Sequence, residues 1–81
     1  MRLDKYLKVS RLIKRRTIAN EACDAGRVSV NGKSVRASYE VKVADIIEMT
    51  FGPRTVKAEV LEVSEHATKN DAVMMYKIIE E

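Results

Sequence analysis

Along the first nine residues, apolar and polar positions repeat with the period of a helix. Leu3, Tyr6 and Leu7 stand at i, i+3 and i+4 and make one apolar stripe. At 100° per residue, Arg2, Lys5 and Lys8 fall on the adjoining arc, which predicts a short amphipathic helix over 2–9 with a basic flank. Residues 10–16 break the pattern and form a connector from which Leu12 and Ile13 can reach a core. A second helix is predicted over 18–25. There Ile18, Ala19, Ala22, Cys23 and Ala25 cover one face, and Asn20, Glu21 and Asp24 cover the other. Thr17 is its expected N-cap and Gly26 the glycine that ends it.

After Gly26 the period shortens to two. Val28-Ser29-Val30 alternates, and Asn31-Gly32 is a strong hairpin signal because both residue types accept positive φ. Residues 34–43 return through irregular or short extended pieces. Two further strands, 46–51 and 55–63, are joined by Gly52-Pro53-Arg54, and broken alternation at Val60-Leu61 predicts a bulge or crossover near Leu61. Residues 65–69 read as a loop. Two outcomes stay open for the last stretch: a short helix over 72–76 capped by Asn70-Asp71, with Met74 and Met75 packed on the sheet, or a strand, which Tyr76, Ile78 and Ile79 favour. The expected fold is α+β. Two short N-terminal helices pack on a small, mostly antiparallel sheet with a short C-terminal extension. It forms a single domain over 1–81, with a core motif of about 1–63 and an extension over 64–81.

Composition narrows the class. A chain of 81 residues is one small domain that buries only about 60% of its unfolded surface, so its core has little to spare. With no Trp and one Phe, that core must be mostly Val, Ile, Leu, Ala and Met. A lone cysteine, Cys23, allows no internal disulfide and favours an intracellular site. No stretch is apolar enough for a membrane span or a signal peptide, so a cytoplasmic protein is expected.

Charge changes the picture most. The first sixteen residues hold seven Lys or Arg against one acid, Asp4, so this segment at +6 exceeds the +3 of the whole chain. Residues 1–36 balance at +7 (ten cations, three acids) and residues 37–81 at −4 (five cations, nine acids). A cationic surface built into folded elements suits a structured polyanion such as RNA. Arg2, Arg11, Arg15 and Arg16 are the leading candidates, because the planar guanidinium can bridge phosphate oxygens. Lys5, Lys8 and Lys14 join them, although lysine on a helix flank also serves solubility alone. Thr17 and the free N–H groups opening the second helix favour a phosphate nearby. Lys33 and Arg36, after the hairpin turn, form a second patch or merely solubilise it. If about six of these residues each neutralise a phosphate, the log–log salt slope of binding approaches roughly −4 to −5.

Other chemistry is poorly supplied. Asp4 is expected to neutralise a neighbouring base or cap the first turn rather than to catalyse. Cys23 sits on an apolar arc as a small hydrophobe. His66 stands alone without the partners of a triad or a metal site. Tyr6, at the edge of the apolar stripe, is expected to pack with its hydroxyl toward solvent; Tyr39 and Tyr76 are further stacking candidates. No cofactor, metal or catalytic set is expected.

Four strings carry a resemblance: Arg2-Leu3-Asp4-Lys5-Tyr6-Leu7, then Ser10-Arg11, then Arg15-Arg16-Thr17, then Ala25-Gly26-Arg27-Val28-Ser29-Val30-Asn31-Gly32-Lys33, with Val43-Ala44-Asp45-Ile46-Ile47 behind them. Together they resemble the alpha-L RNA-binding motif first defined in the fourth small-subunit ribosomal protein. The whole chain resembles the heat-shock-fifteen-like group of that superfamily. The longer members carry a basic C-terminal tail that this chain lacks, which points to the branch acting in ribosome-associated quality control. The resemblance implies a cytoplasmic, ribosome-associated monomer without enzymatic activity. Its partners would be large-subunit rRNA, peptidyl-tRNA in the P site of an obstructed large ribosomal subunit, and an elongation factor that adds a template-free C-terminal tail. Three other classes stay open: a general RNA chaperone or assembly factor, a detached RNA-binding domain of an RNA-modifying enzyme, and a protein–protein adaptor using the apolar C-terminal segment.

Overall fold

The computed structural model describes residues 1–79; residues 80 and 81 of the expected extension lie outside it. The elements run α1 (Leu3–Val9), α2 (Arg16–Asp24), β1 (Val28–Val30), β2 (Lys33–Ser34), β3 (Ile46–Phe51), β4 (Arg54–Val60), α3 (Lys69–Ala72) and β5 (Tyr76–Ile78). The five strands form one antiparallel sheet in the order β2-β1-β3-β4-β5.

The predicted stripes make the core. Leu3, Tyr6 and Leu7 of α1 are fully buried against Ala19, Ala22 and Cys23 of α2. The small side chains on α2 let the two helices approach closely. Below them, Val28 and Val30, Ile47 and Met49, and Ala58 and Val60 present one face of the sheet, while Ser29, Glu48, Lys57 and Glu59 point the other way. Ile13, from the connector, is buried as expected, and Leu12 packs on the core's edge.

Two turns set the register. Asn31 and Gly32 both have positive φ, 53° and 86°, which suits the tight β1–β2 hairpin. The Asn31 side chain also fastens the turn to β3: its Oδ1 accepts from the Ile46 N–H at 2.9 Å and its Nδ2 donates to Asp45 Oδ1 at 3.1 Å. Asp45, buried, further accepts from the Tyr39 hydroxyl and the Lys42 N–H.

Several expectations need correction. Arg15, not Thr17, is the N-cap of α2, and Thr17 lies inside its first turn. Ile18 is 47% exposed, and Ala25 is exposed with it, so the buried face is narrower than the apolar one. β4 stops at Val60. There the Leu61 and Glu62 N–H groups both donate to the Met75 carbonyl, the doubled pairing of a bulge where the alternation breaks. The last stretch holds a one-turn helix, over 69–72 and not 72–76, and then a strand over 76–78. The helix is capped not by Asn70-Asp71 but by Thr68, whose hydroxyl accepts from the Asp71 N–H while the Asp71 carboxylate accepts from the Thr68 N–H. Met75 is buried but Met74 is 65% exposed, because it lies with exposed Val73 in the turn that leaves α3 before β5 begins. Tyr6 is wholly buried, and its hydroxyl donates to the Met75 carbonyl at 2.8 Å instead of reaching solvent.

Candidate nucleic-acid interface

The start of α1 is stitched to a distant segment. The Leu3 N–H donates to the Tyr39 carbonyl at 2.8 Å and the Asp4 N–H to the Ala37 carbonyl at 3.2 Å. The Ala37 N–H in turn donates to Asp24 Oδ1, at the end of α2. Arg2, and the adjacent Arg36, are therefore held at one place by backbone bonds.

Asp4 organises the face. It is buried, and its carboxylate accepts from Arg2 Nε at 3.2 Å, Arg16 Nε at 3.4 Å, Asn20 Nδ2 at 3.2 Å and the Lys5 N–H at 2.8 Å. Burial alone would raise this carboxyl. The hydrogen bonds from Asn20 and Arg16, then the Lys5 N–H and the Arg16 charge, outweigh it and hold the group below its usual value. The two arginines stay about half exposed, 51% and 49%: Arg16 is tethered at Nε, and Arg2 at Nε and, at 3.5 Å, Nη2, so each keeps part of its fork open to solvent. Beside them a shallow cleft of about 350 Å³ is lined by Asp4, Arg16, Thr17, Asn20 and Glu21. No side chain caps α2, and its first turn carries no acid, so its opening N–H groups face the same cationic neighbourhood.

Lys8 is in the last turn of α1, and Arg11, Lys14 and Arg15 follow in the connector, all exposed. Lys5 turns elsewhere, to Glu65 Oε1 at 3.1 Å, and holds that carboxyl below its usual range. Lys33 lies on β2 past the hairpin turn, exposed, and belongs to a separate edge of the sheet. One contributor, Asn20, is not legible in the sequence. It stands on the polar face of the second helix, and its bond to Asp4 depends on how α1 crosses α2. The Cys23 thiol, pushed up to about 11 by burial and then by Asp4 and Asp24, stays protonated at neutral pH. Among the described residues there is no cluster of metal-ligating side chains and no helix long and apolar enough to cross a membrane.

The family model of the S4 domain, an RNA-binding fold, matches residues 1–47, the span holding α1, α2 and the hairpin. The chain belongs to the S4-domain family. Relatives match the whole chain as well. It is 52% identical over 81 residues to the RQC P-site tRNA stabilizing factor of Streptococcus pneumoniae, covering all of this chain and 92% of that protein. It is 49% identical over 81 residues to the factor of the same name in Bacillus subtilis, covering all of this chain and 94% of that one. The trimeric heat shock protein 15 of Vibrio cholerae superposes with a TM-score of 0.88 at 25% identity, over 98% of this chain and 81% of that one. The helix–helix–hairpin order and the sheet behind it are thus those of the S4 fold.

Proposed function

We propose that this protein is a non-enzymatic RNA-binding factor of ribosome-associated quality control. It binds large-subunit rRNA and the P-site tRNA on obstructed large subunits carrying peptidyl-tRNA, steadies that tRNA, and supports template-free C-terminal tailing by an elongation factor on the same particle. It acts as a monomer in the cytoplasm. The observation that carries the proposal is the Arg2–Asp4–Arg16 arrangement, in which a buried carboxylate with Asn20 fixes two outward guanidinium groups. Fixed cations lose less side-chain freedom on binding than mobile ones and recognise a given spacing of phosphates. Structured RNA is read largely by shape, phosphates and 2′-hydroxyls, which is what such a frame addresses. Full-length likeness to proteins named as P-site tRNA stabilizing factors supports the choice of target.

The chemistry is positional. Arg2 and Arg16 bridge phosphate oxygens, Lys8, Lys14 and Arg15 add attraction, and the start of α2 offers N–H donors. Arg36, held near Arg2 by the same backbone bonds, joins this face, and Lys33 extends the contact from a separate edge of the sheet. A tagged pull-down with sequencing of the bound RNA tests it. Large-subunit rRNA recovered with tRNA, and little small-subunit rRNA, is the expected outcome. Equal recovery of both subunits, or equal affinity for free duplex RNA, favours a general RNA chaperone instead.

A further inference from the structure

Arg11 stands just past the C-cap of α1, Ser10, where the chain turns out of the helix. Its φ is +65°, its N–H donates to the Lys8 carbonyl at 3.1 Å, and the Ile13 N–H closes the turn on the Leu7 carbonyl at 3.0 Å. This is the backbone that helices commonly end on with glycine, and any residue with a Cβ is strained there. Strain alone does not point to a ligand. Ala44 is strained too, at φ +78°, and offers only a methyl group. What sets Arg11 apart is the chemistry it holds in that conformation. It is exposed, among the described residues its guanidinium has no hydrogen bond or ion pair, and it follows Lys8 and precedes Lys14 and Arg15. Arg2 and Arg16, by contrast, are anchored on Asp4, and Lys5 is occupied by Glu65.

Resting on the proposal that this face meets RNA, we infer that Arg11 is a direct contact to a backbone phosphate, kept where glycine would make the more stable fold. Binding and stability then pull in opposite directions at one residue. The side chain is exposed, and the unpartnered fork is available for a bidentate contact to phosphate oxygens.

The test measures melting temperature and affinity for purified large ribosomal subunits, at several salt concentrations, for five proteins: wild type, Arg11→Gly, Arg11→Ala, Arg16→Ala and Ala44→Gly. Arg11→Gly is expected to melt about 4–8 °C higher, to bind roughly tenfold more weakly, and to lower the salt slope by about 1. Arg11→Ala should lose the same affinity with no gain in melting temperature, which separates the lost guanidinium from added backbone freedom. Ala44→Gly should melt higher and bind normally. If Arg11→Gly binds like wild type while Arg16→Ala is weakened, the inference fails and the proposed function stands. If both variants bind normally, or the wild type does not bind, the RNA face itself is wrong and the inference falls with it. An Arg11→Gly protein that melts no higher overturns the claim of opposed demands.

Discussion

Asp4 shows how one residue can be legible in type and illegible in role. Its place between Arg2 and Lys5 made charge neutralisation the expected job, and Arg2 is indeed its partner. That it is buried, and shared between Arg2, Arg16 and Asn20, depends on the crossing of two helices, which no local pattern encodes. A pH dependence follows. The folded carboxyl titrates below its ordinary 3.8, so the unfolded chain takes up a proton first as the solution is acidified. The stability this group contributes is complete above that ordinary value and is lost as pH falls through the lower folded one. Asp4→Asn should cost about 1–2 kcal/mol at neutral pH, a moderate loss because the freed arginines are half exposed and water can solvate them. It should also flatten the decline of stability below about pH 4. Denaturant unfolding of both proteins from pH 3 to 7 checks this, and parallel curves would contradict it.

At the scale of elements, what the sequence revealed was local. The Leu3-Tyr6-Leu7 stripe, the Asn31-Gly32 turn and the Gly26 stop all depend on neighbours within a few positions, and all appear as expected. What it hid was non-local. Tyr6 reaches across 69 positions to the Met75 carbonyl, which also receives the Leu61 and Glu62 N–H groups, so α1, the β4 bulge and the C-terminal extension meet on one oxygen. Tyr6→Phe removes one of three donors and leaves the carbonyl satisfied, so a loss of only about 1 kcal/mol is expected in denaturant unfolding. Leu7→Ala, by contrast, opens a cavity between the helices and the sheet and should cost about 2–5 kcal/mol. Thr68→Ala, removing the capping box, should free α3 and speed amide exchange over 69–72 without changing exchange in α1.

For the whole molecule, the division of charge matters more than its total. The cationic residues gather on α1, the connector and the start of α2, while the later half carries the acids. Attraction to RNA should therefore be steep in salt but confined to one side. A log–log slope near −4 to −5 is expected, and a slope near zero would mean that phosphate contacts do not carry the binding. The candidate cations themselves were readable from the sequence. Their grouping was not: Arg2 and Arg16 converge on Asp4, whereas Lys5 leaves the group for Glu65 because the extension folds back past α1. The central claim is that fixed arginines recognise a large subunit holding tRNA. Equilibrium binding of the wild type and Arg16→Ala to large subunits, with and without P-site tRNA, tests it most directly. Tighter wild-type binding when the tRNA is present, with about tenfold loss in Arg16→Ala (about 1.4 kcal/mol), is the predicted result. Equal affinity for both particles and for both proteins would contradict it.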